Sequence, residues 1–160
     1  MRTASATGKI ILTGEYAVLF GYPGIAIPSP LRMTVTFEED TETKDLTIEW
    51  AQVAGHQQWQ QYLMQIIHEC GKFGGKLTIK NEIPLGMGMG SSTALVIAVA
   101  RCLLSTSAAE SHGSQLRQRA LEIEDTVNPG NSGIDFAVIW DEQPIRFKNG
   151  SEPEVIALPD

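Results

Sequence analysis

The sequence predicts an α+β domain, and three observations predict it. The first fifty residues alternate polar and apolar positions in short runs broken by glycine, proline and acidic turns, the pattern of a small, largely antiparallel sheet. Two later stretches, 58–70 and 114–128, carry apolar residues at helical spacing. Between them stand a strand (76–80), a glycine loop and a small-residue, apolar helix (93–104), in that order.

The first strand is Lys9-Ile10-Ile11-Leu12-Thr13-Gly14-Glu15. With a period of two, Lys9, Ile11, Thr13 and Glu15 share a face, so two charges stand at the ends of one face. Gly14 and the turn Gly21-Tyr22-Pro23-Gly24 follow. Ile25-Ala26-Ile27 is a second short strand, expected to stop at Pro28 and Pro30, and Met33 to Phe37 is a third. Glu38-Glu39-Asp40 reads as a solvated turn, with Leu46 to Trp50 pairing back as a hairpin strand. The first helix places Trp59, Tyr62, Leu63, Ile66, Ile67 and Cys70 on one stripe and ends at Gly71 and Gly74-Gly75. His68 reads as a surface or helix-end residue, and His56 and His112 fall in loops with no role assigned. After the central helix, residues 107–113 form a polar connector. The last long helix buries Leu116, Ala120, Ile123 and Val127. At about 100° per residue Glu124 lies on the flank of that stripe, while Glu122 and Asp125 point away. Asn128 to Gly133 is a turn-rich loop that delivers Asp135 to the start of an apolar segment, and Pro144 to Phe147 is a late strand.

Length and composition narrow the function. A chain of 160 residues is one domain by length, with 42% hydrophobic and 19% charged residues, as expected of a globular protein. A net charge of −7 argues against a sequence-independent grip on nucleic acid or an anionic membrane. Phosphates must then be held locally, by backbone donors, a lysine and a metal ion. Cys70 and Cys102 have no partners at metal-ligand spacing and read as buried thiols of a reducing compartment. The N-terminus lacks the apolar core of a signal peptide and the run 94–100 is too short to span a bilayer, so the expected location is the cytoplasm.

The chemistry gathers at Pro84-Leu85-Gly86-Met87-Gly88-Met89-Gly90-Ser91-Ser92-Thr93. Glycines let backbone N–H groups approach an anion without interference from a Cβ. A helix N-terminus adds unpaired donors and the positive end of the helix dipole. The spacing is neither the GxxxxGK[ST] loop nor GxGxxG. What gives it weight is the remaining set: two hydroxyls at the loop's exit, an inward carboxylate, a loop aspartate and a strand lysine. Phosphoryl transfer needs about this set of groups.

Three segments, in order, resemble the GHMP kinases, the superfamily of galactokinase, homoserine kinase, mevalonate kinase and phosphomevalonate kinase. Thr7-Gly8-Lys9-Ile10-Ile11-Leu12-Thr13-Gly14-Glu15-Tyr16-Ala17-Val18 resembles the first motif. Pro84 to Ala94 resembles the second, the phosphate loop, and Asn128 to Ala137 resembles the segment of mevalonate kinases that carries the catalytic aspartate. The resemblance implies a ribosomal-protein-S5 domain 2-like half, a mixed sheet covered on one face by helices. It implies that Asp135 takes the proton of the substrate hydroxyl, with Lys9 beside it stabilising the alkoxide. Glu124, with one serine of the Ser91–Ser92 pair, would hold Mg²⁺. Pro84, Gly86, Gly88, Gly90, Ser91, Ser92 and Thr93 would wrap the phosphates of ATP, and Glu15 and Tyr16 would lie near the substrate.

Departures from the family pattern bear on the substrate. Tyr16 stands where mevalonate kinases commonly have histidine, as in phosphomevalonate kinases, whereas Ser132-Gly133-Ile134-Asp135 favours mevalonate kinase. Thr7 replaces the proline usual before the Gly-Lys pair. Nothing after Asp135 resembles the family's third motif, so residues 1–160 are expected to be the N-terminal, ATP-binding domain without the C-terminal one. The leading expectation is phosphorylation of mevalonate by a truncated or split kinase. The alternatives are phosphomevalonate or another small alcohol as acceptor, and a nucleotide-binding half without turnover. A homo-oligomer or a partner chain would cover the face left by the second domain.

Overall fold

The computed structural model describes residues 1–53, 56–105 and 113–158. Strand β1 (Arg2–Thr13) runs antiparallel to β2 (Gly24–Glu39) along nearly its whole length. On its other edge β2 changes partner: β4 (Gly75–Asn81) pairs with Met33–Glu39, and β5 (Ile145–Phe147) pairs with Gly24–Ala26. Beyond these lie β3 (Leu46–Glu49) against β4 and β6 (Glu154–Val155) against β5. Helix α2 (Ser91–Leu104) packs on β1 and β2, and α1 (Gln57–Cys70), α3 (Ser114–Val127) and α4 (Ile134–Asp141) pack around α2. Every residue from Ala94 to Ala100 is fully buried, which is why this helix has small apolar residues all round and no polar face.

Two expectations about the sheet are corrected. The second and third strands are one: β2 continues through Pro28 and Pro30. Lys9 pairs with Pro28 but Thr7 pairs with Arg32, so the ladder with β1 is irregular there. Lys9 gives its own N–H to Met89 O instead, at 2.9 Å. On the opposite edge, residues 27–32 lie between the β5 and β4 pairings. The prolines therefore sit where a missing N–H costs no ladder bond.

The second correction concerns β3, which is not the return arm of a hairpin. It lies parallel to β4, which is inserted between β3 and β2. Gly74 and Gly75 make the insertion possible: a Cβ would lie 1.9 Å from Thr43 O at Gly74 and 2.1 Å from Glu38 O at Gly75. Only glycine lets the start of β4 pass between those backbones.

The helix stripes fall as read. Leu63, Ile66 and Ile67 of α1 and Leu116, Ala120 and Ile123 of α3 are buried in one core with Val35, Phe37, Leu77 and Ile79 of the sheet. His56 and His68 are exposed, whereas His112 and nearly all of the 107–113 connector lie outside the described residues. Cys102 is buried and Cys70 partly so, both free. Burial pushes the Cys70 thiol up to about 12, which keeps it protonated and unreactive.

One buried charge holds the far end of α2. Arg101 is 2% exposed and donates to Ser5 O (2.9 Å), Trp140 O (2.8 Å) and Glu142 Oε1 (3.3 Å). Its guanidinium lies 4.6 Å above the Trp140 ring. The half-exposed Arg32 binds the same Glu142 carboxylate, at 2.8 and 3.0 Å. Removing a buried partner strands the groups it satisfied, while an exposed pair contributes little. Arg101→Ala should therefore destabilise the fold by about 3 kcal/mol, and Arg32→Ala by about 1 kcal/mol or less. Urea unfolding of the two variants checks this, and equal losses would refute it.

Candidate active site

Strand β1 brings Lys9 inward. The ladder irregularity turns Lys9 into the molecule at 4% exposure, while Ile10 and Leu12 face outward at 40% and 53%. Gly14, at φ +84, ends the strand where a Cβ would come within 2.6 Å of Gly24 Cα. The chain turns there, and Glu15 and Tyr16 are left exposed.

The glycine loop closes over Lys9. Gly86, Gly88 and Gly90 all have positive φ, between 71° and 75°, a conformation costly for residues with a Cβ. At Gly86 and Gly88 a Cβ would meet nothing, so glycine there serves backbone conformation and leaves the hollow open. At Gly90 a Cβ would lie 2.9 Å from both Lys9 Cγ and Ile139 Cδ1. The lysine stem passes directly beneath the loop. Ser91 Oγ accepts from Gly86 N–H at 3.3 Å and ties the loop to the helix. Gly90 caps α2 without a side chain, which leaves the first N–H groups of α2 without a side-chain acceptor.

The loop after α3 supplies the acid. Asn131 Oδ1 accepts from Gly133 N–H at 3.0 Å, while Asn131 Nδ2 donates to Asn128 O at 3.0 Å and Asp125 Oδ1 at 3.1 Å. This compact turn starts α4 at Ile134 and puts Asp135 in its first turn. Asp135 Oδ1 stands 3.2 Å from Lys9 Nζ. Burial pushes the Asp135 carboxyl above the usual aspartate range, Lys9 pulls it back, and the charge of Glu15 pushes it up again.

Glu124 is 1% exposed. Its Oε1 accepts from Thr93 Oγ1 at 2.7 Å and Asn128 Nδ2 at 3.0 Å, whereas Oε2 is buried and has no hydrogen-bond partner. Burial raises its pKa, the donors from Thr93 and Asn128 lower it, and the charges of Asp135 and Asp125 raise it. A buried carboxylate oxygen without a donor is the kind of group a hard cation satisfies. Among the described residues no three His, Cys, Asp or Glu side chains gather as a metal cage. A cation here would take one carboxylate, a hydroxyl and oxygens of a bound phosphate, which fits Mg²⁺.

Two clefts meet at these side chains. One, of about 530 Å³, is lined by Gly86, Gly88, Gly90 and Ser91 together with Trp59 and Tyr62 of α1. The other, of about 500 Å³, is lined by Tyr16, Leu19, Thr93, Glu124 and the 128–134 loop. Lys9, Glu15, Ser92, Asn128 and Asp135 line both. Two of the expected loop residues do not line the glycine cleft. Pro84 is exposed and borders neither cleft. Thr93 is buried and spends its hydroxyl on Glu124, because its position in the first turn of α2 turns it toward α3.

The segment 59–141 matches the family described as the GHMP kinases N terminal domain. The chain belongs to the GHMP kinases. A mevalonate kinase of Archaeoglobus fulgidus is 30% identical over 136 residues, which cover 82% of this chain and 48% of that protein. The chain thus spans about half the length of the curated relatives it matches. The mevalonate kinase of Methanococcus jannaschii has the same fold, with a TM-score of 0.79 at 18% identity over 97% of this chain and 56% of the other. So does a Streptococcus pneumoniae phosphomevalonate kinase solved with phosphomevalonate and AMPPNP, at a TM-score of 0.70 and 17% identity over 93% of this chain and 50% of the other.

Sequence reasoning passed over two residues of this GHMP site, Asn128 and Tyr62. Asn128 Nδ2 also donates to the Tyr62 hydroxyl at 2.6 Å. Asn128 was readable as a helix-ending residue four positions after Glu124, but its bond to Tyr62 crosses 66 positions and no local pattern signals it.

The state of Glu124 makes a stability prediction. Its pKa is raised in the fold, so the native state binds the proton more tightly than the unfolded chain. Stability is then lost as pH climbs from the unfolded value of about 4.3 toward the folded one. Without divalent cation, Glu124→Gln should raise the melting temperature at pH 7 by about 2–4 °C, and the gain should vanish at pH 4. Thermal melts at the two pH values check it, and a variant less stable at pH 7 would refute it.

Proposed function

We infer that this chain is the nucleotide- and acceptor-binding half of a kinase that transfers the terminal phosphoryl group of ATP to the hydroxyl of mevalonate. The observation that carries the reading is the Lys9–Asp135 pair, at 3.2 Å, on the wall shared by two clefts. One cleft has the backbone donors and helix N-terminus that suit phosphates. The other has room for a small acceptor. The name shared by the curated relatives supplies mevalonate as the first acceptor to test.

In this reading Asp135 accepts the proton of the acceptor hydroxyl. Burial favours this by raising its basicity, and Lys9 stabilises the oxyanion that forms. Gly86, Gly88 and Gly90 present their N–H groups to the phosphates, while Ser91 keeps the loop closed through its bond to Gly86. Ser92 is then the hydroxyl that joins Glu124 at the cation, because Ser91 is committed to the loop and only Ser92 of the two lines the cleft with Glu124. Bound Mg²⁺ would supply the positive charge that offsets the phosphate oxygens during transfer. Glu15 and Tyr16 flank the acceptor.

Residues 1–160 are in this reading the N-terminal GHMP domain, and a C-terminal domain or a partner chain completes the acceptor pocket. Tyr16 and Leu19 support this: both line the second cleft and are 74% and 52% exposed. Scattered exposed apolar residues are normal, but a cluster at a site marks a surface that another surface covers. The two free thiols suit a cytoplasmic setting.

ADP release with Mg-ATP and mevalonate, phosphomevalonate or no acceptor tests the reading, with Asp135→Asn alongside. Mevalonate-dependent turnover should fall by about 10²–10⁴-fold in the variant, with nucleotide affinity unchanged. Turnover without acceptor dependence, or undiminished in Asp135→Asn, would refute it. Nucleotide binding without turnover by the chain would favour the half-protein that needs its second domain.

The same pair fixes the pH profile. Asp135 must be ionised to act, so activity falls on the acid side. Lys9 lowers the pKa of Asp135, so Lys9→Ala should move that acid limb to higher pH as well as reduce the rate. A limb that stays in place, measured as kcat against pH, would detach Lys9 from the base.

A further inference from the structure

Tyr62 and Asn128 have no part in the chemistry above, yet they are bonded in line to Glu124, a side chain assigned to the cation. The Asn128 amide has two N–H bonds and uses both, toward the Tyr62 oxygen at 2.6 Å and Glu124 Oε1 at 3.0 Å. Thr93 adds the last contact, to Glu124 Oε1 at 2.7 Å. A single network thus runs from Tyr62 through Asn128 and Glu124 to Thr93, across α1, α3 and α2.

The direction of each bond follows from chemistry. A carboxylate oxygen only accepts, so the amide must turn its nitrogen to Glu124. The same nitrogen then makes the Tyr62 oxygen an acceptor. At Glu124 both donors fall on Oε1, and Oε2 is left without one. The arrangement leaves unpaired the atom a hard cation would take.

We propose that Tyr62 and Asn128 are positioning residues of the divalent-cation site: through this network they hold Glu124 with its donors on Oε1 and its Oε2 kept free for the cation. The proposal rests on the reading of Ser92 and Glu124 as the cation's protein ligands. Partners of this kind are costly to remove, at about 10- to 100-fold in metal affinity. Tyr62 also packs edge-on against Trp59, at 6.0 Å between ring centroids. Phenylalanine would keep that packing and lose only the oxygen.

The test is an electron paramagnetic resonance titration of Mn²⁺, with AMPPNP bound, on the chain and on Tyr62→Phe, Asn128→Ala, the double variant and Glu124→Gln. Thermal melts establish that each variant is folded. At saturating AMPPNP, Tyr62→Phe and Asn128→Ala should each weaken Mn²⁺ binding by about 10-fold or more. Since both act through one network, the double variant should lose little more than the weaker-binding single variant. Full Mn²⁺ affinity in folded Tyr62→Phe, or losses that simply add, would overturn the positioning role if Glu124→Gln still weakens binding. Unchanged affinity in Glu124→Gln would overturn the cation-site reading itself.

Discussion

A lysine ammonium buried at 4% exposure costs several kcal/mol unless a counter-charge meets it, and in this chain Asp135 meets Lys9 at 3.2 Å. Much of the site is shaped by that requirement. The stem of Lys9 needs the space below Gly90, where a Cβ would touch both the lysine and Ile139. Its backbone N–H is taken by Met89 of the same loop at 2.9 Å, so strand and loop are held together at the residue that carries the charge. The counter-charge comes from α4, whose start is set by the Asn131 turn. Strand, loop and helix therefore converge on one ion pair, and the two clefts open on either side of it.

The second buried acid is handled in the opposite way. Asp135 has a cation within reach, whereas Glu124 has only neutral donors, and all of them fall on one oxygen. Both carboxyls are pushed up by burial, and the charge of Asp135 pushes Glu124 further. A fold selected for stability alone would favour an amide at position 124, since glutamine would satisfy the same donors without a buried charge. Retaining the carboxylate makes sense when a cation completes it. In the proposed function this contrast gives the two acids different roles, one taking a proton and the other a metal.

The site was legible in the sequence wherever it is local. The order of strand, glycine loop and helix, the face of α3 that carries Glu124, and the loop that delivers Asp135 are short-range patterns, and the structure brings Lys9, Glu124, Asp135 and the loop glycines together. Misreadings occurred where pairing is long-range. Pro28 and Pro30 look like strand breakers until the strand is seen to change partners around them. Leu46 to Glu49 looks like a hairpin arm until β4 inserts beside β2, a choice made by Gly74 and Gly75 some thirty residues later. The partner of the Thr93 hydroxyl is long-range as well, a helix residue 31 positions on. Tyr62 was legible as a core residue of the α1 stripe. That it also carries a polar contact could be seen only once α1 and α3 were side by side.

The charge balance at the shared wall points the same way as the geometry. One ammonium, Lys9, faces three carboxylates, Glu15, Asp135 and Glu124, in a chain whose net charge is already −7. Two anionic ligands could not be drawn into such a wall by long-range attraction. They require local positive potential, and the chain supplies it in three forms. The N-terminus of α2 offers backbone donors without a side-chain acceptor, Lys9 offers a fixed ammonium, and Glu124 with Ser92 offers a place for a divalent cation. The first two are permanent parts of the fold, and the third arrives with the ligand. A wall that is net negative discriminates by charge, against a bare polyanion more than against the same polyanion partly neutralised by its cation. In the proposed function, the polyanion so favoured is the nucleotide carried with its cation.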